Sequence, residues 1–168
     1  MKKVILSAAV IIGFATAANA QATATATASA TIVTPITIVK DVDMNFGNVA
    51  VSATSGGTVV LPTTGVRTKT GGVTLPAVPG TVAAASFTVS GEANYTYAIT
   101  LPSAALSISN GTATMTVDNF ISNPASTGAL NGTGTQTVQI GATLNVGAAQ
   151  APGAYLSATP FNVTVNYN

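Results

Sequence analysis

Residues 83–101 read AAASFTVSGEANYTYAITL, and apolar side chains alternate with small polar ones on both sides of a central turn. The turn is GEAN, residues 91–94. The shared apolar face consists of Ala83, Ala85, Phe87 and Val89 before the turn and Tyr95, Tyr97, Ile99 and Leu101 after it. A period of two is typical of a half-buried β-strand. This stretch therefore predicts two strands that bury the same face.

The same period recurs along most of the chain, with turn residues in between. Further strands are predicted at 57–61, 72–75, 106–108, 113–117, 138–146 and 161–168, with a bulge or bend at Gly141. The Asn110-Gly111 pair predicts a two-residue hairpin turn, and residues 122–134 are predicted to be a loop. Helix-forming residues are scarce. We predict an all-β antiparallel sandwich of about nine strands.

Residues 1–20 have the pattern of a secretory signal peptide. Lys2 and Lys3 precede an apolar stretch from Val4 to Phe14, and the small residues 18–20 (ANA) form a cleavage site. The predicted mature chain has an extended arm at 21–31 and one domain at 32–168. No other apolar run approaches the roughly 20 residues of a membrane-spanning helix. We expect no transmembrane span and a secreted protein that passes through the periplasm to the cell surface or beyond.

The mature chain is almost free of charge. Its three basic residues, Lys40, Arg67 and Lys69, stand against the four acidic residues Asp41, Asp43, Glu92 and Asp118, so the formal net charge is −1. Without a basic patch to neutralise phosphates, nucleic acid is not an expected partner. Since cysteine is absent, stability is expected to come from apolar burial and backbone ladders.

The segment that follows the signal alternates in a single phase over seventeen residues. The apolar phase consists of Ala22, Ala24, Ala26, Ala28, Ala30, Ile32, Ile36 and Ile38. As one strand it would span roughly 56 Å, against roughly 20 Å for a typical strand. The first third is therefore either disordered or pairs with the sheet of a neighbouring molecule by strand addition. Pro35 lacks a backbone donor, which places the strand at a sheet edge.

The side chains offer little catalytic chemistry. The chain has no His, no Cys, one Glu and three Asp, whereas acid–base and nucleophilic catalysis need a titrating group beside a partner. We predict no enzyme activity, no catalytic residues and no cofactor. Asp41 and Asp43, with Asn45 and Asn48, offer oxygen ligands for calcium. A solvated strand edge is the favoured interpretation, because no glycine-centred loop or closing Glu follows, so no metal site is predicted.

Several stretches together resemble one family. They are MNFGNVAV (44–51), GGTVVLPTTGVRTKTGGVTLP (56–76), ASFTVSGEANYTYAITLPS (85–103), GTATMTVDNF (111–120), GTQTVQIGATLNVGAAQAPGAY (134–155) and FNVTVNYN (161–168). The chain resembles the secreted bacterial proteins grouped as domain of unknown function 4402. More distantly, FGNV and the alternating terminal stretch resemble the spore coat protein U group and chaperone–usher fimbrial subunits.

The distant resemblance implies a fold and a mode of assembly. In those proteins an immunoglobulin-like domain has a carboxy-terminal strand that a periplasmic chaperone recognises, and it donates an amino-terminal arm to the next subunit. Carried over, the region from Ala22 to Ile38 would be the donor strand. The chaperone-facing side chains would be Phe161, Val163, Val165 and Tyr167.

Two functions remain open at this point. The preferred hypothesis is a secreted structural subunit of a fimbria-like or other surface assembly. It would polymerise by β-strand addition with other copies of itself or related subunits, with a periplasmic chaperone and an outer-membrane usher as further partners. The alternative is a self-contained secreted β-sandwich that binds a carbohydrate or another surface ligand through its loops.

Overall fold

The computed structural model describes residues 21–168, and every regular element in this range is a β-strand. The predicted signal peptide, residues 1–20, lies outside the described residues. The thirteen strands are β1 Thr37–Val42, β2 Ala50–Val51, β3 Gly57–Leu61, β4 Thr68–Lys69, β5 Val73–Thr74, β6 Ala85–Ser90, β7 Thr96–Thr100, β8 Leu106–Ser109, β9 Thr114–Asn123, β10 Thr127–Ala129, β11 Thr135–Val146, β12 Leu156–Ser157 and β13 Thr164–Tyr167. Four of them span only two residues, which leaves nine longer strands. All pairings are antiparallel, and the predicted all-β sandwich is confirmed.

The large sheet is organised around β11, its longest strand. Its order is β1-β6-β11-β9-β8-β12, and β3, which carries β4, also pairs with β11. Along one edge β11 pairs first with β6 and then with β3, and the change occurs at Gly141. A Cβ atom at Gly141 would collide with the carbonyl oxygen of Leu61. The ladder to β9 bulges between Gly141 and Thr143, as predicted.

The hairpin of β8 and β9 turns one residue later than predicted. Leu106 pairs with Val117 and Ile108 with Met115, a register that makes residues 111 and 112 the two-residue loop. The Asn110 side chain explains the shift, because its Oδ1 accepts hydrogen bonds from the backbone amides of residues 112 and 113. Asn110 thus caps the turn from the preceding strand position.

The predicted loop at 122–134 contains regular structure. Strand β9 continues to Asn123, and β10 pairs with β7. The prediction was wrong here because Ser, Thr and Gly are typical of loops, whereas the pairing depends on a strand distant in sequence. Gly128 in β10 lies against the ring of Tyr97, where an added Cβ would collide. A glycine that signals a turn in the sequence thus allows close packing in the fold.

A second layer covers the two ends of the large sheet in different ways. At the closed end, the three-stranded sheet β10-β7-β13 packs on β6 and on the first half of β11. This core consists of Ala85, Val89, Tyr97, Ile99, Leu130, Val138, Ile140 and Val165. At the open end, the short β2-β5 pair and the irregular chain before it cover the rest. This second core consists of Val59, Val73, Val117, Ala142, Leu144 and Val146.

Residues Val33–Asn168 form one compact unit, which is distinct from the segment before it. Residues 21–32 contain no strand, and their side chains are exposed, with Ile32 at 95%. Nothing in residues 21–168 forms a helix that would be long and apolar enough to cross a bilayer.

Candidate functional site

The predicted donor residues fall into two groups. Ile36 and Ile38 belong to the compact unit and pack against the closed-end core, and Ile38 pairs with Val89 of β6. The remaining members lie in the exposed segment without strands: Ala22, Ala24, Ala26, Ala28, Ala30 and Ile32. The second group stays a predicted donor, whereas the two later isoleucines contribute to the core of their own domain.

The outer edge of β1 carries charge. Lys40 Nζ lies 2.7 Å from Asp43 Oδ1, and Asp41 Oδ2 accepts a hydrogen bond of 2.8 Å from the Thr88 hydroxyl. Charged side chains on an edge strand oppose the approach of another strand. This edge of the large sheet is therefore a poor place for strand addition.

The predicted chaperone-facing side chains all point into their own domain. Val165 is buried in the closed-end core, and Phe161, Val163 and Tyr167 pack against that core and are half-buried. The Phe161 ring also contacts two other phenylalanines, at centroid distances of 5.1 Å and 6.4 Å. Alternate residues such as Asn166 are exposed. The alternation thus forms a core face and a polar face.

The outer edge of β13 differs from that of β1. Strand β13 pairs with β7 only, and the Asn168 amide donates to the Thr96 carbonyl oxygen at 3.4 Å. Because inward and outward main-chain groups alternate in an antiparallel pair, those of Val165 and Tyr167 point away from β7. No strand among residues 21–168 pairs with this edge. Residues 158–168 carry no charged side chain.

A cluster of hydrogen bonds fixes the point at which the chain enters the domain. The Tyr167 hydroxyl donates to the Thr34 carbonyl oxygen at 2.7 Å and accepts from the Glu92 amide at 2.6 Å. Glu92 Oε2 in turn accepts from the Thr34 amide at 2.8 Å. This hydrogen bond lowers the pKa of the Glu92 carboxyl group. Both backbone polar groups of Thr34 are thus held within the compact unit.

Arg67 holds the chain that precedes β2. Its guanidinium donates to the carbonyl oxygens of Phe46 and Asn48, the latter at 2.8 Å. Asn45 Oδ1 accepts from the Gly47 amide at 2.8 Å. The oxygen atoms considered for calcium are thus partly engaged in local hydrogen bonds. Within residues 21–168, no group of three or more acidic, histidine or cysteine side chains could hold a metal ion.

Tyr97 shows how the closed end satisfies a buried polar group. Its side chain is fully buried, and its hydroxyl donates to Gln136 Oε1 at 2.6 Å. The same oxygen accepts from the Ala129 amide at 2.9 Å. Burial raises the pKa of the Tyr97 hydroxyl, which therefore stays neutral. The Gln136 oxygen thus links β7, β10 and β11.

Sequence reasoning did not find three of the residues that organise these surfaces. Thr34, Glu92 and Arg67 act through partners that are 19 to 133 positions away in the sequence. The one available signal was rarity, since Glu92 and Arg67 are the only glutamate and the only arginine of the chain.

The comparison with protein families gives one match. The model described as "Domain of unknown function (DUF4402)" matches residues 36–167. No curated protein and no solved structure shows significant similarity to the chain. The matched range begins at Ile36, so it includes the whole strand region and leaves out residues 21–35.

Proposed function

The chain belongs to the DUF4402 family, and from that premise we propose that it is a non-enzymatic structural subunit of a fimbria-like or other surface assembly. Copies join when the amino-terminal arm of one subunit adds as a strand to the sheet of the next. The family description names no activity, so support for the proposal comes from the surfaces of this chain.

The observation that carries the proposal is the outer edge of β13. This edge has main-chain donors and acceptors that can pair with another strand, and β13 carries no charged side chain. The edge strand β1, in contrast, carries charged side chains that oppose strand addition. Strand addition draws its affinity from such main-chain hydrogen bonds. The uncharged, alternating residues 21–32 have the pattern of an added strand.

The contact would be head to tail. An arm and an acceptor edge are different surfaces of one subunit, so each added copy presents a fresh arm or a fresh edge. Heterologous contacts of this kind propagate into filaments unless the rotation closes a ring. A secreted subunit with this chemistry also requires protection in transit, which is the role proposed for a periplasmic chaperone and an outer-membrane usher.

An unboiled denaturing gel tests the proposal. We expect the purified mature chain to give a ladder of multimers that collapses to a monomer on boiling, because many main-chain hydrogen bonds must break together. Deletion of residues 21–32 should abolish the ladder and leave a folded monomer. A monomer band from the intact chain, unchanged by the deletion, would reject the proposal.

A further inference from the structure

A groove lies at the open end of the large sheet. Its volume is about 1090 Å³. Its floor is formed by half-buried apolar side chains of the large sheet, Phe87, Leu106, Ile108 and Met115, which lie beside buried core side chains such as Val117 and Leu144. One wall is formed by residues 40 and 42–51, and the other by residues 150–157 with Pro160 and Phe161. The second layer therefore leaves apolar side chains of the floor accessible between these two walls.

The wall at 40–51 already has hydrogen-bond partners outside the groove. Asn45 exchanges two backbone hydrogen bonds with Ala83, and the Asn48 amide donates to the Pro79 carbonyl oxygen at 2.7 Å. Arg67 donates hydrogen bonds to two further carbonyl oxygens of this wall. Few backbone donors and acceptors on this wall therefore remain free to pair with an added strand.

Beyond β12, which pairs with β8, the main chain is largely unpaired. Among the hydrogen bonds of the described residues, none involves a backbone group of Thr159, Phe161, Asn162 or Val163. This stretch leads directly into β13, whose outer edge is also unpaired. Together they form a length of main chain with open hydrogen-bonding capacity that borders the apolar groove at Pro160 and Phe161.

We propose that this groove is the acceptor site for the arm of a second copy of the chain, residues 22–32, which pairs with the unpaired main chain at 159–163. The inference rests on the proposed function and adds where the strand docks. The groove presents no unpaired charge to an added strand, because its only charged lining residues, Lys40 and Asp43, pair with each other. The arm itself carries no charge.

Side-chain size also fits the arm. Phe87, Met115 and Phe161 already project partly into the space above the sheet and are half-buried, so the remaining space is shallow. Each alanine in the alternating arm would place only a methyl group on this floor. Larger side chains at the same positions would clash with the floor residues. Ile32, exposed over 95% of its surface in one copy, would gain cover in the complex.

Cysteine cross-linking tests the docking site, since the chain has no cysteine of its own. One variant carries Ala24→Cys, Ala26→Cys or Ala28→Cys in the mature chain. A second, tagged variant carries Thr159→Cys in the unpaired stretch beside the groove, next to the lining residue Pro160. A matched control carries Thr127→Cys on β10, which also has an unpaired outer edge. Each pair is refolded together from denaturant and then oxidised.

We expect a disulfide-linked heterodimer with Thr159→Cys and at most a trace with Thr127→Cys. Docking raises the local thiol concentration to the millimolar range, roughly a hundredfold above a solution at about 10 µM. The heterodimer should therefore form faster by about that factor. One of the three arm positions should react best, because these side chains share one face and follow one another at roughly 6.6 Å along the strand, so only one of them lies next to position 159.

Other outcomes overturn the assignment. Multimers on the gel with cross-links at Thr127, or with no cross-link at Thr159, would reject this groove while the proposed function stands. A chain with both Ala26→Cys and Thr159→Cys that closes only within one monomer would show that the arm fills its own groove. The absence of both cross-links and multimers would reject the groove and the proposed function together.

Discussion

The two ends of the large sheet carry similar apolar side chains but are covered differently. At the closed end, β7 and β13 lie over β6 and β11 in a regular three-stranded sheet, and Val89, Val138 and Ile140 are inaccessible to solvent. At the open end, an irregular segment and a two-stranded pair leave a groove. The difference shows that regular strand cover closes one core, whereas irregular cover leaves apolar side chains of the sheet partly exposed.

Truncation of matched isoleucines should give the largest difference in stability between the two ends. Ile140 lies at the closed end and is fully buried, whereas Ile108 lies on the groove floor and is half-buried. Ile140→Ala should cost about 2–5 kcal/mol of unfolding free energy, because it leaves a cavity in a packed core. Ile108→Ala should cost less than about 2 kcal/mol.

Urea unfolding of the monomeric mature chain measures both values. Equal losses would show that the groove floor is as tightly packed as the closed-end core. In the multimer, Ile108→Ala should become more costly, since the docked arm covers that side chain.

A matched pair of tyrosines should give the next largest difference. Tyr97→Phe removes the hydroxyl that donates to Gln136 at the fully buried closed end, and should cost about 1 kcal/mol. At the open end, the half-buried Tyr155 donates to the Ala151 carbonyl oxygen at 2.7 Å. Tyr155→Phe should cost less than about 0.5 kcal/mol, because water can replace the lost hydroxyl. Thermal unfolding of both variants provides the check, and a reversed order would contradict the comparison.

The smallest expected effect is a pH dependence at Glu92. The Thr34 amide lowers the pKa of this carboxyl group in the folded chain. The stabilisation is therefore complete above the unfolded pKa of about 4.3, and is lost as the pH falls through the lowered folded value. In Glu92→Gln this contribution is absent at every pH. The difference in unfolding free energy between wild type and Glu92→Gln should shrink from pH 6 to pH 3, and a constant difference would contradict the Thr34 contact.

The strand pattern was predictable wherever alternation coincides with burial. The stretch at 83–101 folds into β6 and β7 around the predicted turn, and its inward residues Ala85, Val89, Tyr97 and Ile99 are buried. Gly141 lies at the predicted bulge. Local period and turn chemistry were sufficient for these elements because each residue's environment follows from its immediate neighbours.

Features that depend on distant pairing were not predictable in the same way. Asn110 was placed inside its turn, although its side chain caps the turn from outside. The stretch around Gly128 has loop composition and becomes a strand only because β7 lies beside it. The hydrogen bonds of Thr34 link positions 58 and 133 residues apart. The groove likewise exists only once both of its walls have been placed on the sheet.

Hydrogen exchange of the unpaired main chain beside the groove tests the central claim most directly. Monomer and multimer fractions of the mature chain are separated, and deuterium uptake is compared by mass spectrometry for peptides that cover residues 159–163 and β11. The account predicts that this unpaired stretch exchanges fast in the monomer and becomes protected in the multimer, while β11 is protected in both. Fast exchange of the stretch in both fractions would contradict strand addition at this site.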